Sequence, residues 1–489
     1  MSRALALAVA AALLLLGGAG LAVAGCGDDA GGTAGGAPVP GPTTLARTLA
    51  DPDGDGALDT APGEPLRDRT DLAPRRRPGR VLATWAQITD SHVRDEESPS
   101  RVPFLDRYGD PFETTFRPQE ALSAQVLAAA VRAVNAQHPQ AVLVTGDVTD
   151  NAQLDELRLA ARVLDGGRAD PDSGGPGYRG VQQADDPDPF YYRPDVDPPR
   201  HRGLLAAAQR PFASPGLTAP WYGVTGNHDV LLQGELPPSA RTDAIATGRR
   251  LVTSLDPRAR LPRAATTSEA VDALLGAAEG GRAITVPADP ARRAATAGEL
   301  ARVLARGRPT RSGERLDYEV DAGDVRFVLL DLVNRAGGQA ADVAPGQLDW
   351  LRARLAAARA ADRPVVLVTH QPPPDDVLAV LDAGPATVVA AIHGDRHRNR
   401  ITPHGRFWIV GTSSLADWPM QSRLFRLRAT AGDGLVLETW MVDQDGRGLA
   451  GTARELAFLD AQGGRPRGLA GARGDRNARL FLPTEGQSP

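Results

Sequence analysis

The stretch Ala141-Val142-Leu143-Val144-Thr145-Gly146-Asp147-Val148-Thr149-Asp150 decides the architecture. A short apolar run bounded by a turn signal reads as a buried strand. It stops at a glycine and then presents two carboxylates. The preceding segment, Pro118 to His138, has helical apolar spacing and ends at Pro139. Outward from this point the pattern recurs. Val81–Thr89 runs into Asp90-Ser91-His92, and Trp221–Thr225 into Gly226-Asn227-His228-Asp229. Arg326–Leu330 ends in Asp331, and Val365–Thr369 in His370. Thr387–Ile392 runs into His393-Gly394-Asp395-Arg396-His397, and Phe407–Val410 ends in Gly411. Pro345 to Ala361 reads as a helix with Leu348, Leu351 and Leu355 on one face. Strands alternating with helices predict an α/β fold. Ligand sites in such folds form beyond the carboxyl ends of strands, so polar clusters remote in sequence meet at one rim.

Composition narrows the chemistry. The 489 residues are 42% hydrophobic and 24% charged, too polar for a polytopic membrane protein. A net charge of -5 argues against nucleic acid as a main partner. All 55 basic residues are Arg, which excludes a P-loop lysine, a Schiff-base lysine and a Ser-Lys dyad. Cys26 is the single cysteine, so there is no intramolecular disulfide, Cys-rich zinc site or iron–sulfur cluster. Gly411-Thr412-Ser413-Ser414-Leu415 lacks the closing glycine of a nucleophile elbow.

The N-terminus reads as an export signal. A basic start at Arg3 precedes the apolar run Ala4–Leu16, the length of a signal-peptide core rather than of a spanning helix. Val23-Ala24-Gly25-Cys26 resembles the bacterial lipoprotein processing box, which predicts cleavage after residue 25 and a lipid anchor at Cys26. A plain signal peptide and an uncleaved anchor helix are the alternatives. All three place the body outside the cytoplasm, on the outer face of the membrane if Cys26 is acylated. Residues 26–79 read as a flexible tether and lead-in. Asp51-Pro52-Asp53-Gly54-Asp55-Gly56 has the spacing of a calcium loop, but Pro62 stands where the closing glutamate belongs, so an acidic turn is expected.

The polar clusters spell metal ligands. Asp90 and His92 lie two apart, so in extended chain both point to one side. Asp147 follows a glycine at a strand end, where a carboxylate can bridge two ions. Asn227 offers a carbonyl oxygen, and His370 and His397 offer imidazoles. Carboxylate and imidazole without thiolate suit Mn, Fe or Zn rather than Ca.

In this order the set resembles the calcineurin-like metallophosphoesterase family, over roughly residues 80–430. The family's D-x-H, G-D-x-x-D, G-N-H-D, lone H and G-H-x-H stand here as Asp90-Ser91-His92, Gly146–Asp150, Gly226–Asp229, His370 and Gly394-Asp395-Arg396-His397. Gln347-Leu348-Asp349-Trp350-Leu351 is also similar to that family. The flanking Phe116-Arg117-Pro118-Gln119-Glu120 and Asp150-Asn151-Ala152-Gln153 resemble an exported bacterial subgroup. The resemblance implies an αββα sandwich with insertions at about 160–218 and 235–315 and a C-terminal extension over 431–489. It implies a first metal held by Asp90, His92, Asp147 and His397, and a second held by Asp147, Asn227, His370 and residue 395. His228 would assist the leaving group, with Asp150 and Asp229 orienting ligands and the imidazole. The implied reaction is hydrolysis of a phosphate mono- or diester by hydroxide activated between two metals. A metal- or phosphate-binding lipoprotein without catalysis is the alternative reading, and its support is one departure. The family's first histidine of the last motif is Asp395 here, which makes the second site harder and more anionic, or weak if Asp395 turns away.

Other residues have two readings each. His393 is a substitute ligand or, being on the strand, a core histidine. Arg396 meets substrate phosphate or is solvated. Asp331 lies near the site or closes a structural turn. Phe190-Tyr191-Tyr192 forms a lid wall or packs on itself. His138, His201 and His404 fall in a helix end, the insertion and a turn.

Overall fold

The computed structural model describes residues 43–102, 116–256, 258, 273–274, 276–432, 434–460 and 469–484. Residues 1–25, read above as a signal segment, and Cys26, the expected lipidation position, lie outside the described residues. Among the described residues no helix is long and apolar enough to cross a membrane.

Two sheets pack face to face. The strands of the first, in chain order, are β1 (Arg67–Arg69), β2 (Pro78–Ile88), β3 (Ala141–Val144), β4 (Trp221–Gly223), and later β11 (Gln421–Thr430), β12 (Leu435–Asp443) and β13 (Ala478–Phe481). Their spatial order is β1-β13-β12-β11-β2-β3-β4. Those of the second are β5 (Tyr318–Ala322), β6 (Val325–Leu329), β7 (Val365–Val368), β8 (Val388–His393), β9 (Arg400–His404) and β10 (Phe407–Gly411), ordered β5-β6-β7-β8-β10-β9. Strands β2, β3 and β4 are mutually parallel, as are β6, β7, β8 and β10.

Side-chain alternation shows why each sheet is covered twice. On β7, Val366 and Val368 pack in the central core, whereas Val365 and Leu367 join Leu351, Leu355, Val377 and Val380 in a second cluster. Those four lie on α3 (Gln347–Ala360) and α4 (Asp375–Ala383). A strand buried on both faces has no polar alternation, which is why these runs read as continuous apolar stretches. Helices α1 (Ser123–Asn135) and α2 (Leu154–Asp165) bury apolar faces in the first sheet's core. The sheets meet at Trp85 of β2. It stacks on Phe425 of β11 in its own sheet at 5.2 Å and meets Phe327 of β6 edge-on at 5.1 Å. The result is the expected αββα sandwich.

The boundaries differ from the sequence reading in three places. The lead-in is structured from residue 43: Arg47–Ala50 pairs with Asp59–Pro62, and Arg67–Arg69 pairs with β13. Its contacts with the C-terminal strands span more than 400 residues. Arg476 donates to Glu64, and Thr44 Oγ1 lies 2.8 Å from Asn477 Oδ1. The tail is likewise no appendage, since β12 and β13 complete the first sheet. Third, the insertions are narrower than expected. Helix α2 runs to Asp165, and Leu300, Leu304 and Ala305 belong to the central core.

Within the first insertion, Tyr191 is buried in a separate small cluster against Phe116, at 5.1 Å between rings, and does not line the central cavity. The Asp51–Gly56 turn spends its carboxylates on its own amides: Asp51 accepts from Gly54 and Gly56, and Asp55 from Ala57. Asp331 is a structural corner that accepts from Leu316, Val333 and Arg335.

Candidate metal centre

All of the ligand-type residues sit just past carboxyl ends of parallel strands. Asp90 and His92 follow β2, Asp147 follows β3, and Asn227 and His228 follow β4. His370 follows β7, and Asp395 and His397 follow β8. Both sheets therefore deliver residues to one rim. The chain turns sharply there: Asp90, His92, Asp147, Asp395 and His397 all have φ between 42° and 65°. Left-handed backbone at a non-glycine residue costs on the order of 1 kcal/mol or more and collects at functional sites. The glycine before Asp395 has a steric reason. A Cβ on Gly394 would stand 2.4 Å from Asp90 Oδ2 and 2.1 Å from Thr89 Oγ1.

One atom each from Asp90, His92, Asp147 and His397 lie within 4.8 Å of one another. The hydrogen bonds on the far ring edges fix which atom faces inward. His92 Nδ1 meets Asp150 Oδ1 at 3.0 Å, and His397 Nδ1 meets Asp417 Oδ2. A carboxylate accepts, so each Nδ1 carries the proton and each Nε2 of a neutral ring presents a lone pair. These two Nε2 atoms stand 3.2 Å apart, and His397 Nε2 is 3.3 Å from Asp90 Oδ1. The same logic holds next door. His370 Nδ1 donates to the Thr145 carbonyl at 2.8 Å. Its Nε2 faces Asn227 Oδ1 at 3.1 Å, Asp147 Oδ2 at 3.2 Å and Asp395 Oδ1 at 3.9 Å. Asn227 is oriented by donating its Nδ2 to Gly234. Each gap is walled by acceptors and needs a positive centre, either a second ring proton or a metal cation.

Asp147 Oδ2 belongs to both gaps, at 3.6 Å from His92 Nε2 and 3.2 Å from His370 Nε2. Its Oδ1 accepts from the His228 amide at 2.9 Å. Without metal, protons fill the positive positions. Burial opposes charge on His397, but Asp90 and Asp417 outweigh it and hold the imidazole at about 10. Burial likewise opposes His370, and Asp147 raises it well above the usual value. Burial pushes His92 down to about 4, so it stays neutral and accepts. Burial also works against the Asp147 carboxylate, yet His370 and His228 hold it below the ordinary range. The donor set fits two oxygen- and nitrogen-preferring cations.

A cavity of about 210 Å³ opens over the cluster. His228 lines it, with its Nδ1 on the Asp150 carbonyl at 2.7 Å. Asp150 does not reach the His228 ring closely. Its carboxylate takes His92 Nδ1 and both Arg94 Nε (2.9 Å) and Nη2 (2.8 Å). Asp229 acts on the ligand loops and not on a ring. It touches no imidazole, but its Oδ1 accepts from the Val148 and Thr149 amides and its Oδ2 from Gly226, which braces the two ligand loops. His393 is buried on β8 with Nδ1 on the Gly394 carbonyl, a core histidine. Arg396 is two-thirds exposed, lines the cavity and pairs with Asp395 at 3.1 Å. That pairing and the 3.9 Å gap to His370 set Asp395 back from the second cluster.

Arg94, Arg117, Gln233, Gln339 and Asp417 were not singled out as site residues by the sequence reading. Four line the cavity, and Asp417 lies behind His397. No spacing rule ties Arg117 to Asp417, 300 positions away.

No family model matches the chain, and no curated protein does. Among solved structures, a dimetal phosphatase from Danio rerio is similar at 14% identity and TM-score 0.38, covering 75% of this chain and 100% of that one. A purple acid phosphatase from yellow lupin (Lupinus luteus) seeds matches at 12% identity and TM-score 0.30, over 74% of this chain and 52% of that one. A sulfate thiohydrolase from Thermus thermophilus matches at 14% identity and TM-score 0.30, over 79% and 61%.

Proposed function

We propose that this chain is an exported, metal-dependent phosphoesterase of the calcineurin-like type, tethered by lipid at Cys26. The observation that carries the hydrolase reading is Asp147 Oδ2 standing between two acceptor-walled gaps, 3.6 Å from one imidazole Nε2 and 3.2 Å from another. Asp90, His92, Asp147 and His397 would hold one cation, and Asp147, Asn227 and His370 the other, with Asp395 a more distant ligand that would have to leave Arg396 to join it. Two such cations supply a Lewis-acid clamp on phosphoryl oxygens and an activated water nucleophile.

The chain's own residues do the rest. His228 is anchored at both ends, by its amide on Asp147 and its Nδ1 on the Asp150 carbonyl, which leaves Nε2 to face substrate. In the imidazolium form that Nε2–H protonates the leaving oxygen, a contribution of about 10²–10⁴-fold. Asp229 holds the two loops carrying Asp147 and Asn227 in register. Arg94 and Arg117 line the cavity with their charges paired to Asp150, Glu120 and Asp417, so the pull on an anionic ester would come from the two cations.

The deciding experiment counts metal per chain after loading with Mn, Fe or Zn, then runs phosphate mono- and diesters. Two ions and hydrolysis of either class support the reading. Two ions with no hydrolysis favour a binding lipoprotein of the same fold. Palmitate labelling with a Cys26→Ala control tests the anchor, and no label on wild type sinks it.

A further inference from the structure

Two arginines hold this site by the same device. Arg94 grips both oxygens of Asp150 through Nε and Nη2, and Asp150 receives His92 Nδ1. Arg117 grips both oxygens of Asp417 through Nε at 2.6 Å and Nη2 at 3.1 Å, and Asp417 receives His397 Nδ1. The two imidazoles then meet Nε2 to Nε2. Glu120 ties the relays together, because it pairs with Arg94 and accepts from the Arg117 amide at 3.1 Å.

The arginines differ in what they have left. Arg94 has Nε and Nη2 hydrogen-bonded to Asp150, and its buried Nη1 is in an ion pair with Glu120. Arg117 has Nε and Nη2 on Asp417, and its Nη1 has no partner among the described residues. Arg117 is nine-tenths buried and lines the cavity. A desolvated guanidinium with one donor uncommitted is suited to an anionic oxygen.

We propose that Arg117 works on two edges. One edge clamps Asp417 and so keeps the proton on His397 Nδ1, leaving Nε2 to bind metal. The other edge donates from Nη1 to a phosphoryl oxygen of the substrate. The second half rests on the phosphoesterase reading. The clamp matters because a carboxylate gripped at both oxygens cannot rotate away from the ring. It thus positions a ligand that lies at the end of a flexible side chain.

The test uses the full chain and three variants, Arg117→Ala, Arg117→Lys and Asp417→Asn. The probes are Mn(II) binding by calorimetry and inorganic phosphate binding to Mn-saturated protein. Arg117→Ala is expected to weaken Mn binding about 10–100-fold. It should also weaken phosphate binding about 10–100-fold, the loss of one charge-assisted hydrogen bond. Asp417→Asn should weaken Mn alike and leave phosphate affinity at saturating Mn within about twofold. Arg117→Lys keeps charge but loses the fork, so its phosphate affinity should fall between wild type and Arg117→Ala. Added guanidinium should restore phosphate binding to Arg117→Ala. Unchanged phosphate affinity in Arg117→Ala overturns the substrate edge, and unchanged Mn affinity overturns the clamp. If Arg117→Ala does not fold, wild-type Mn and phosphate affinities in Arg117→Lys overturn the proposal. Wild-type hydrolysis matched by Arg117→Ala removes the proposal and leaves the reading standing. Arg117-dependent phosphate binding without turnover of any phosphoester does the reverse.

Discussion

Replacing Asp147 by Asn separates a metal site from a merely polar one. The wild-type carboxylate uses Oδ1 to accept from the His228 amide, while Oδ2 faces His370 Nε2 and His92 Nε2. An Asn side chain keeps the first contact through its oxygen. It places an NH₂ where Oδ2 was. In the apo wild type, protonated His370 Nε2 donates to that oxygen, 3.2 Å away. The Asn NH₂ cannot accept there, so His370 gives up its proton and its lone pair takes the amide hydrogen. A charge-assisted hydrogen bond is exchanged for a neutral one, and the apo thermal midpoint should fall by only about 1 kcal/mol of stability. The metal-loaded protein loses more. At a hundredfold excess over Kd, each cation contributes about 2.7 kcal/mol to wild type. For a chain of this size that is about 3 °C per site, at roughly 1 °C per kcal/mol. Asp147→Asn removes the oxygen common to both sites, so the rise with Mn, Fe or Zn should disappear. The assay is a thermal melt of both proteins with and without metal. A variant that gains as much from metal as wild type would refute a role for Oδ2 in holding cations. A wild type with no gain from any of the three would refute the centre itself.

Other outcomes follow from the same contacts. Loading Mn at pH 7 should release up to two protons, because His397 sits at about 10 and His370 is raised, and both must give up a proton to ligate. Affinity should therefore climb with pH above 7, and a calorimetric enthalpy independent of buffer would contradict this. His228→Ala should keep the metal count and lose about 10²–10⁴-fold in kcat, and near-wild-type turnover would remove its acid role. Gly234→Ala should cost turnover as well, since at φ 72° its Cβ would stand 2.4 Å from His228 Nε2 and 2.6 Å from Asn227 Nδ2. Unlike His228→Ala it should also loosen the Asn227 metal, read as a lower metal count. Burial pushes His393 down to about 4, so the folded state binds fewer protons than the unfolded state between pH 6.5 and 4. Stability should fall as pH drops through that window, by on the order of 3 kcal/mol. His393→Gln should flatten that part of the melting-midpoint profile, and an unaltered profile would place the acid sensitivity elsewhere.

The strands and the ligand-type residues were legible because they are local. A run such as Val365–Val368, buried on both faces, must be apolar throughout, and the polar residue that follows it must be at a strand end. The lead-in was not legible for the opposite reason. Arg67–Arg69 is a polar edge strand held by distant partners, above all by its pairing with Ala478–Leu480. Arg117 and Asp417 were missed on the same principle. Neither has a local signature, and their meaning comes from a bidentate contact across 300 positions. Asp229 shows the intermediate case: its position is readable, but its role comes only from the family resemblance, as a residue that orients ligands and the imidazole. The fold instead turns its carboxylate toward the amides of Val148, Thr149 and Gly226. A carboxylate with four acceptor sites beside a loop of unpaired N–H groups satisfies them before it reaches an imidazole that already has a carbonyl. The sequence therefore identifies which residues face the rim, while the hydrogen-bond demand of the rim's backbone decides which of them remain available for chemistry.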